Sequence, residues 1–167
     1  SSFDSNRLNR ANESAADYPA SLAVADTHPL LAYRVAAALV IGAWGIFHLW
    51  YIATGWLELA PDEAQYWEWS RHLDWSYYSK GPMVAYLIAL STRLGGHSEL
   101  FVRLPAVVLG VVGLLLAYAL TRQLVRSDRT ALLVLVAYAV CPLFGAGATL
   151  MTTDAPLACC WMAATAC

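Results

Sequence analysis

The sequence predicts an all-α protein, a polytopic bundle of transmembrane helices. Apolar residues make up 59% of its 167 residues and charged residues only 13%, whereas about 25% of the residues in soluble domains are charged. Three runs without a charged side chain, 35–57, 104–121 and 130–153, approach or exceed the roughly 20 residues that a helix needs to cross a bilayer. Seven tryptophans and nine tyrosines suit membrane interfaces, where an aromatic ring keeps its polar tip hydrated. A net charge of −2 gives no basic surface for nucleic acid.

The charged residues divide the chain into membrane spans and connections. In order we predict a mobile polar tail (1–30), a first span (35–57), an outer loop (58–103), a second span (104–121), a third span (130–153) and a truncated fourth span (155–167). Residues 31–167 thus form one membrane domain. Because the chain opens on Ser1 and stops inside an apolar run, we interpret it as an amino-terminal fragment that is inactive by itself.

The outer loop contains two apolar segments that are too short to cross a bilayer. In Asp62–Leu73, the side chains of Tyr66, Trp69 and Leu73 share one helical face, with Trp67 beside it. The other face carries Gln65, Glu68, Arg71 and His72. Gly81–Thr92 is apolar for only 12 residues. Amphipathic helices of this length lie in the plane of the membrane interface. We therefore predict one interfacial helix in the first segment and an interfacial or re-entrant helix in the second.

The distribution of arginines predicts the orientation of the chain. Loop 122–129 has three arginines and one acid, whereas 58–103 has four basic residues among six acids. Cytoplasmic loops carry the excess of lysine and arginine, so we place loop 122–129 in the cytoplasm and 58–103 outside. Asp62 and Asp154 then lie on the same outer face of a multi-pass protein, in the inner (plasma) membrane of a bacterium.

Three acids are candidate catalytic residues: Asp62, its neighbour Glu63, and Asp154. Asp62 and Asp154 each precede a helical pattern, so their alternative role is that of an N-cap. The positive amino terminus of a helix keeps a carboxylate ionised, and an ionised carboxylate at a membrane surface is a competent general base. Both interpretations stay open at this point.

Lys80 and Arg103 are the candidate cations for a phosphate group. Their structural alternatives are a lysine that extends to the interface and an arginine at the mouth of the second span. The loop aromatics are interpreted mainly as interfacial anchors, with contact to a sugar or lipid as an alternative for Tyr66, Trp67 and Tyr78.

The other polar residues near the apolar runs have structural interpretations. The arginines of loop 122–129 are interpreted as topology signals, and His48 as a histidine hydrogen-bonded within the bundle. Cys141, Cys159, Cys160 and Cys167 are interpreted as buried free thiols, because cysteine packs as a small hydrophobe. Their spacing is not that of a metal site.

Four motifs carry a family resemblance: DEAQY at 62–66, KGP at 80–82, RLPAVVLG at 103–110 and TTDAPLA at 152–158. In this order they resemble the amino-terminal third of the polyprenyl-phosphate-sugar glycosyltransferases. That membrane superfamily includes protein O-mannosyltransferases and the aminoarabinose transferases of lipid A. The resemblance, which covers about Arg34 to Cys167, implies the C-type glycosyltransferase fold, with Asp62 as the base and Asp154 supporting the site.

The resemblance also implies a reaction, the transfer of a sugar from a polyprenyl phosphate to a hydroxyl of a lipid, glycan or protein. The donor already carries a good leaving group, so catalysis needs a base for the acceptor and cations for the departing phosphate. Direct displacement would invert the anomeric centre. The scheme requires no cofactor or metal, although a divalent cation is compatible with it.

Two alternatives to a glycosyltransferase are a non-catalytic membrane scaffold and a transporter. Discontinuous helices near the bilayer midplane are typical of transporters. We expect no broken helix pair in this chain, and its acids lie at the ends of spans. These two features disfavour the transporter.

Overall fold

The computed structural model describes residues 27–78 and 80–166, and this part of the chain is an all-α membrane helical bundle, as predicted. Its helices are α1 (Thr27–Ala53), α2 (Pro61–Arg71), α3 (Met83–Gly95), α4 (Glu99–Val125), α5 (Asp128–Val140), α6 (Pro142–Thr149) and α7 (Asp154–Ala166). The predicted polar tail lies outside the described residues, except for positions 27–30, which belong to α1.

Among the residues that the structure describes, two helices are long and apolar enough to cross a membrane: α1, over Leu30–Ala53, and α4, over its whole length. Large apolar side chains of α1, among them Leu39 and Ile46, are exposed and offer a surface suited to lipid. α1 ends at Ala53, before the predicted end of the first span at Leu57. Gly55 follows with a φ of 65°, a left-handed conformation that glycine adopts readily after a helix.

The predicted third span, 130–153, is not a single helix. α5 and α6 are bent by 62° at the break between them. Pro142 begins α6, and a helix is interrupted at proline because its ring clashes with the preceding turn and it has no N–H to donate. The expectation that no broken helix pair is present is therefore wrong. Taken together, α5 and α6 make a third candidate span.

The break leaves backbone groups that need partners, because a bilayer supplies no water to satisfy them. The indole nitrogen Nε1 of Trp44, on α1, donates a hydrogen bond of 3.1 Å to the carbonyl of Ala139. Trp44 packs closely against α4, where a Cβ on Gly110 would lie only 2.5 Å from the indole ring and 3.0 Å from Ala148 of α6. Glycine at this position therefore allows α1, α4 and α6 to meet beside the break.

The structure tests the predictions made for His48 and for the cysteines. His48 is buried, and its Nδ1 lies 2.9 Å from the Trp44 carbonyl, which confirms a histidine hydrogen-bonded within the bundle. The cysteines of the described residues are free, but only Cys159 is buried, whereas Cys141 is half-buried and Cys160 is exposed. Cys167 lies outside the described residues.

Both short helices predicted in the outer loop are present as α2 and α3, packed against each other, with α3 also packed on α4. α3 ends at the glycine pair, where Gly96 has a φ of 91°. The buried face of α2 differs from the predicted one. It consists of Glu63, Tyr66 and Ser70, and Leu73 is 40% exposed. An acid can occupy this buried face because Arg103 of α4 pairs with it.

Candidate functional site

The two ends of the bundle carry separate groups of charged residues. Near the start of α1, Arg34 Nε lies 3.3 Å from the Asp128 carboxylate of α5. Beyond the end of α1, the carbonyl of Leu57 accepts a 2.7 Å hydrogen bond from Arg103 of α4. Because an α-helix rises 1.5 Å per residue, Arg34 and Ala53 are about 28 Å apart along the helix. That is close to the hydrocarbon thickness of a bilayer, about 30 Å, so the groups lie at opposite ends of a membrane-sized bundle.

Lys80 lies at the centre of the candidate site, at the end of the bundle that carries Arg103. Its ammonium group donates a hydrogen bond to the hydroxyl oxygen of Tyr66 and lies 5.0 Å from the centroid of that ring. This hydrogen bond raises the pKa of Lys80 above its ordinary value, against the opposing effect of desolvation, and the negative charges of Asp62 and Asp154 raise it further. Lys80 is therefore a cation at neutral pH, with both carboxylates close enough to act on it.

Asp62 is the second residue of α2 and its side chain is exposed. It does not cap the helix, because Ala60 occupies the N-cap position and its backbone N–H is bound by the Glu63 carboxylate at 3.1 Å. The N-cap alternative for Asp62 is therefore wrong. The positive end of α2 still stabilises its negative charge. Tyr66 follows one turn later on the same helix face, which explains why the lysine held by Tyr66 is near Asp62.

Asp154 is the first residue of α7, and it is also exposed. It is one of the residues that line a largely apolar cavity of about 340 Å³ between α4, the broken span and α7. Other lining residues include Leu109, Tyr138, Phe144, Leu150 and Thr152. Asp62 is not among them, so a single cavity shared by the two acids stays a prediction. What the structure brings together is each of the two acids with Lys80.

Glu63 and Arg103 form an ion pair in the interior, where they are 1% and 2% exposed. Arg103 Nη2 lies 2.8 Å from Glu63 Oε2, and the other carboxylate oxygen accepts a 2.9 Å hydrogen bond from the backbone N–H of Met151. The guanidinium group also donates to the carbonyls of Leu57 (2.7 Å) and Glu58 (2.8 Å). Both charged groups are thus satisfied by contacts within the protein.

This buried pair connects the segments that carry the two exposed acids. Glu63 is adjacent to Asp62 in the sequence, and Met151 precedes Asp154 by three residues. Removing one member of a buried pair leaves an uncompensated charge and is strongly destabilising. To act as a base or as a phosphate ligand, as the sequence suggested, Glu63 or Arg103 would have to leave this pair. The geometry instead supports a positioning role for both.

The three aromatic residues with a suggested sugar or lipid contact lie in different environments. Tyr66 is buried and binds Lys80. Trp67 is half-buried, and the guanidinium carbon of Arg71 lies 5.3 Å from the centroid of its ring. Tyr78 is fully exposed. Tyr78 is therefore the one of these three whose whole side chain is accessible to a ligand.

The loop between α2 and α3, which delivers Lys80, is held by aromatic contacts that sequence reasoning missed. The rings of Trp69 and Tyr77 are stacked, with centroids 4.6 Å apart. The Tyr77 hydroxyl accepts a 3.1 Å hydrogen bond from the backbone N–H of Asp74, whose carbonyl accepts one of 3.0 Å from the Tyr86 hydroxyl. Tyr77 also forms a single antiparallel bridge with Lys80. The density of aromatic residues after α2 was the available signal for such an ordered loop.

The acidic residues of the site do not form a metal-binding cluster of their own. In residues 27–78 and 80–166, no group of three or more His, Cys, Asp or Glu side chains is arranged to hold a metal ion. Whether the reaction uses a divalent cation stays a prediction. The cation that the structure places near both exposed carboxylates is the ammonium group of Lys80.

Comparisons with known proteins identify a family that the chain matches. Residues 79–167, more than half of the chain, match the family model of dolichyl-phosphate-mannose-protein mannosyltransferases. The chain is also similar to the lipid A galacturonosyltransferase RgtD of Rhizobium johnstonii, with 40% identity over 70 residues. That alignment covers 41% of this chain and 14% of the relative, so the chain corresponds to a small part of that protein. No solved structure matches. The family match includes Lys80, Arg103 and Asp154, and begins after Asp62.

Proposed function

Because the chain belongs to the family of dolichyl-phosphate-mannose-protein mannosyltransferases, we propose that its exposed carboxylates and Lys80 act in sugar transfer from a polyprenyl-phosphate donor. Family membership and the relative make the chain a membrane protein like the C-type glycosyltransferases, as its motifs suggested. The proposed acceptor is a hydroxyl group of a lipid, a glycan or a protein. The relative's name, a lipid A galacturonosyltransferase, supports a glycolipid acceptor.

The observation that carries this proposal is the position of Lys80, which is held by Tyr66 near the carboxylates of Asp62 and Asp154. Both Asp62 and Asp154 raise the pKa of Lys80 through their charges. Both carboxylates belong to exposed residues. A phosphoryl group bound to the Lys80 ammonium would therefore lie near them without being buried between them. A phosphate oxygen that gains charge as a bond breaks is stabilised by a preorganised cation. The acceptor hydroxyl, which forms the new glycosidic bond, is activated by a nearby base that takes its proton.

The proposed reaction is a single displacement at the anomeric carbon. The acceptor oxygen attacks that carbon and forms the new glycosidic bond, while the bond from the carbon to the phosphate oxygen breaks. Asp62 takes the acceptor proton, and the departing polyprenyl phosphate keeps the electron pair beside Lys80. Attack opposite the leaving group inverts the anomeric configuration. Asp154, beside the same cation, orients the reacting groups. Neither a cofactor nor a metal is needed for these steps, and a divalent cation remains compatible with them.

The proposed location of this site is the outer face of a multi-pass protein in a bacterial inner membrane. Asp62, Lys80 and Asp154 lie at one end of the bundle, and Arg122, with the connection that follows it, lies at the other. Loops rich in arginine remain in the cytoplasm. The arginine-rich end therefore orients the exposed carboxylates outward.

We expect a cysteine at position 76 to react with a membrane-impermeant thiol reagent in intact cells, and a cysteine at position 123 to react only after the membrane is opened. Ser76 is exposed in the loop that leads to Lys80, and Gln123 is exposed near the end of α4. Labelling of the parent protein measures the background from its native cysteines. Labelling of Gln123→Cys but not Ser76→Cys in intact cells would reverse the orientation.

Replacing Lys80 by Ala should weaken donor binding and lower transfer by about 10²-fold or more, as removal of one charge-stabilising donor typically does. The assay follows a radiolabelled sugar from its polyprenyl phosphate to the acceptor, in membranes that contain the protein expressed from its own gene. Donor binding is measured separately. Lys80→Arg keeps the charge and should retain part of the activity.

Arg93→Ala is the matched control for this change, since Arg93 is an exposed cation on the neighbouring helix α3. It should leave transfer close to that of the parent. Equal activity in Lys80→Ala and Arg93→Ala would remove Lys80 from the proposed mechanism. No transfer by the parent itself, with any polyprenyl-phosphate sugar, would favour the scaffold alternative.

A further inference from the structure

A charged cavity lies at the end of the bundle opposite to Lys80. It has a volume of about 540 Å³ and is formed where the start of α1, the end of α4 and the start of α5 meet. Its polar lining consists of Arg34, Arg122, Arg126, Ser127, Asp128 and Arg129. We call it the arginine pocket. The proposed transfer reaction uses none of these residues.

The charges of the arginine pocket do not balance. Asp128 is buried, and its carboxylate is bound by Arg34, Arg122 and the hydroxyl of Tyr118. The pocket thus contains four guanidinium groups and one acid, which binds two of them. In the part of the chain that the structure describes, neither of the exposed side chains Arg126 and Arg129 is within salt-bridge distance of a carboxylate. The pocket therefore has an excess of three positive charges.

The local backbone explains why these side chains converge. α4 ends at Val125 and is followed by its C-cap, Arg126, which adopts a left-handed conformation with a φ of 54°. α5 then begins at Asp128. Ser127 caps α5 by accepting a 3.3 Å hydrogen bond from the backbone N–H of Thr130. The tight connection places Arg126 and Arg129 beside the two arginines that already hold Asp128. Repulsion between like charges favours an arrangement in which an anion occupies the space between them.

The position of the pocket indicates which anion suits it. It lies at the end of two helices that are long enough to cross a membrane, so its depth corresponds to lipid headgroups. Its lining also includes Leu30 and Tyr33, which supply apolar surface next to the guanidinium groups. Guanidinium groups bind phosphate through paired N–H donors. The cytoplasmic leaflet is rich in anionic lipids that attract arginine.

We propose that the arginine pocket binds the phosphate of an anionic phospholipid. The phosphate lies among Arg34, Arg122, Arg126 and Arg129, and the acyl chains run along the exposed apolar surface of α1. Asp128 holds the first two arginines in place and prevents them from turning away. Arg126 and Arg129 supply the charge that is not already used inside the protein.

The test compares lipid binding by the parent protein with binding by the double variant Arg126→Gln/Arg129→Gln. The protein, expressed from its own gene and purified in detergent, is titrated with phosphatidylglycerol, phosphatidylcholine or inorganic phosphate. Bound lipid is counted by native mass spectrometry, and the thermal midpoint is followed in parallel. Both substituted arginines lie outside the Asp128 ion pairs, so the variant should fold. The matched control is Arg71→Gln/Arg93→Gln, which removes two exposed charges at the other end of the bundle.

We expect phosphatidylglycerol to bind the parent and to raise its thermal midpoint. The pocket variant should bind this lipid about 30-fold more weakly, taking the ordinary contribution of one arginine at an anionic surface for each of the two side chains. The control should keep the parent's affinity. Equal loss in the control, or equal stabilisation by phosphatidylcholine, would overturn the proposal. Stabilisation by inorganic phosphate alone would show a site for free anions and would also overturn it.

Discussion

Replacing Asp62 by Asn is expected to reduce sugar transfer by about 10²–10⁴-fold, the usual loss when a general base is removed. Donor binding should stay near the parent value, because Lys80 keeps its charge and its hydrogen bond to Tyr66. Asp62 is exposed and is not the N-cap of α2, so the substitution removes no capping hydrogen bond. A loss of transfer without a loss of thermal stability would therefore identify the carboxylate itself as the group required.

Glu68→Gln is the matched control, since it neutralises another exposed carboxylate on the same helix. Glu68 is on the far side of α2 from the buried face and pairs with Arg71 at 3.5 Å. We expect this variant to transfer sugar at nearly the parent rate. Near-normal transfer by Asp62→Asn would instead move the role of the base to Asp154, because Glu63 is already held by Arg103.

Replacing Arg103 by Met should lower the free energy of unfolding by about 3–5 kcal/mol, the typical cost of breaking a buried ion pair from one side. Methionine keeps the apolar stem of the side chain. It leaves the Glu63 carboxylate and the carbonyls of Leu57 and Glu58 without their guanidinium partner. The measurement is the thermal midpoint in detergent, with folded yield as a second readout. Arg103→Lys keeps the charge but not the planar fork, and should fall between Met and the parent.

Stability distinguishes this positioning role from the phosphate contact that the sequence suggested for Arg103. If Arg103 were instead a surface residue that binds the donor phosphate, its substitution would weaken donor binding and leave the thermal midpoint unchanged. Arg93→Met, which alters an exposed arginine on α3, supplies the expected baseline. If Arg103→Met matches this baseline in stability and loses only donor binding, the ion pair seen here is not what holds the site together.

Local patterns were sufficient to predict the helices of the outer loop. The amphipathic pattern of Asp62–Leu73 and the apolar run of Gly81–Thr92 correspond to α2 and α3, and the glycine pair ends α3. These features depend on residues within a few turns of each other. The break at Pro142 was visible in the same way, as a proline in the middle of an apolar run. The absence of charges predicted one continuous span, whereas the proline interrupts the helix.

The buried partners could not be predicted from local patterns. Glu63 and Arg103 are 40 residues apart, and Glu63 and Met151 are 88 apart. Because both side chains are charged, the sequence suggested that they are exposed, whereas both are buried in the structure. An available signal was the position of Glu63 one turn before the aromatic Tyr66, on the face that the helix buries. Residues of opposite charge at the ends of two neighbouring spans are also expected to form an ion pair.

The grouping of Asp62, Lys80 and Asp154 at one end of the bundle was predictable because it depends on topology. Counting arginines placed Asp62 and Asp154 on the same side, and Lys80 lies in the connection between the two outer helices. The contact between Lys80 and Tyr66 was not predictable, because Tyr66 could equally have been an interfacial anchor. That contact sets the position of the cation relative to both acids.

The ion pair between Glu63 and Arg103 also imposes an order on assembly during synthesis. Both partners leave the ribosome before Met151 does, so the pair and its bonds to Leu57 and Glu58 can close while the rest of the bundle is still being made. The other Glu63 oxygen, Oε1, can accept its hydrogen bond from the Met151 N–H only after 88 further residues have been synthesised. The contact that docks the segment leading to α7 therefore forms after the ion pair. The nascent chain can therefore pair its buried charges first, and Met151 links the segment that carries Asp154 to this pair only afterwards.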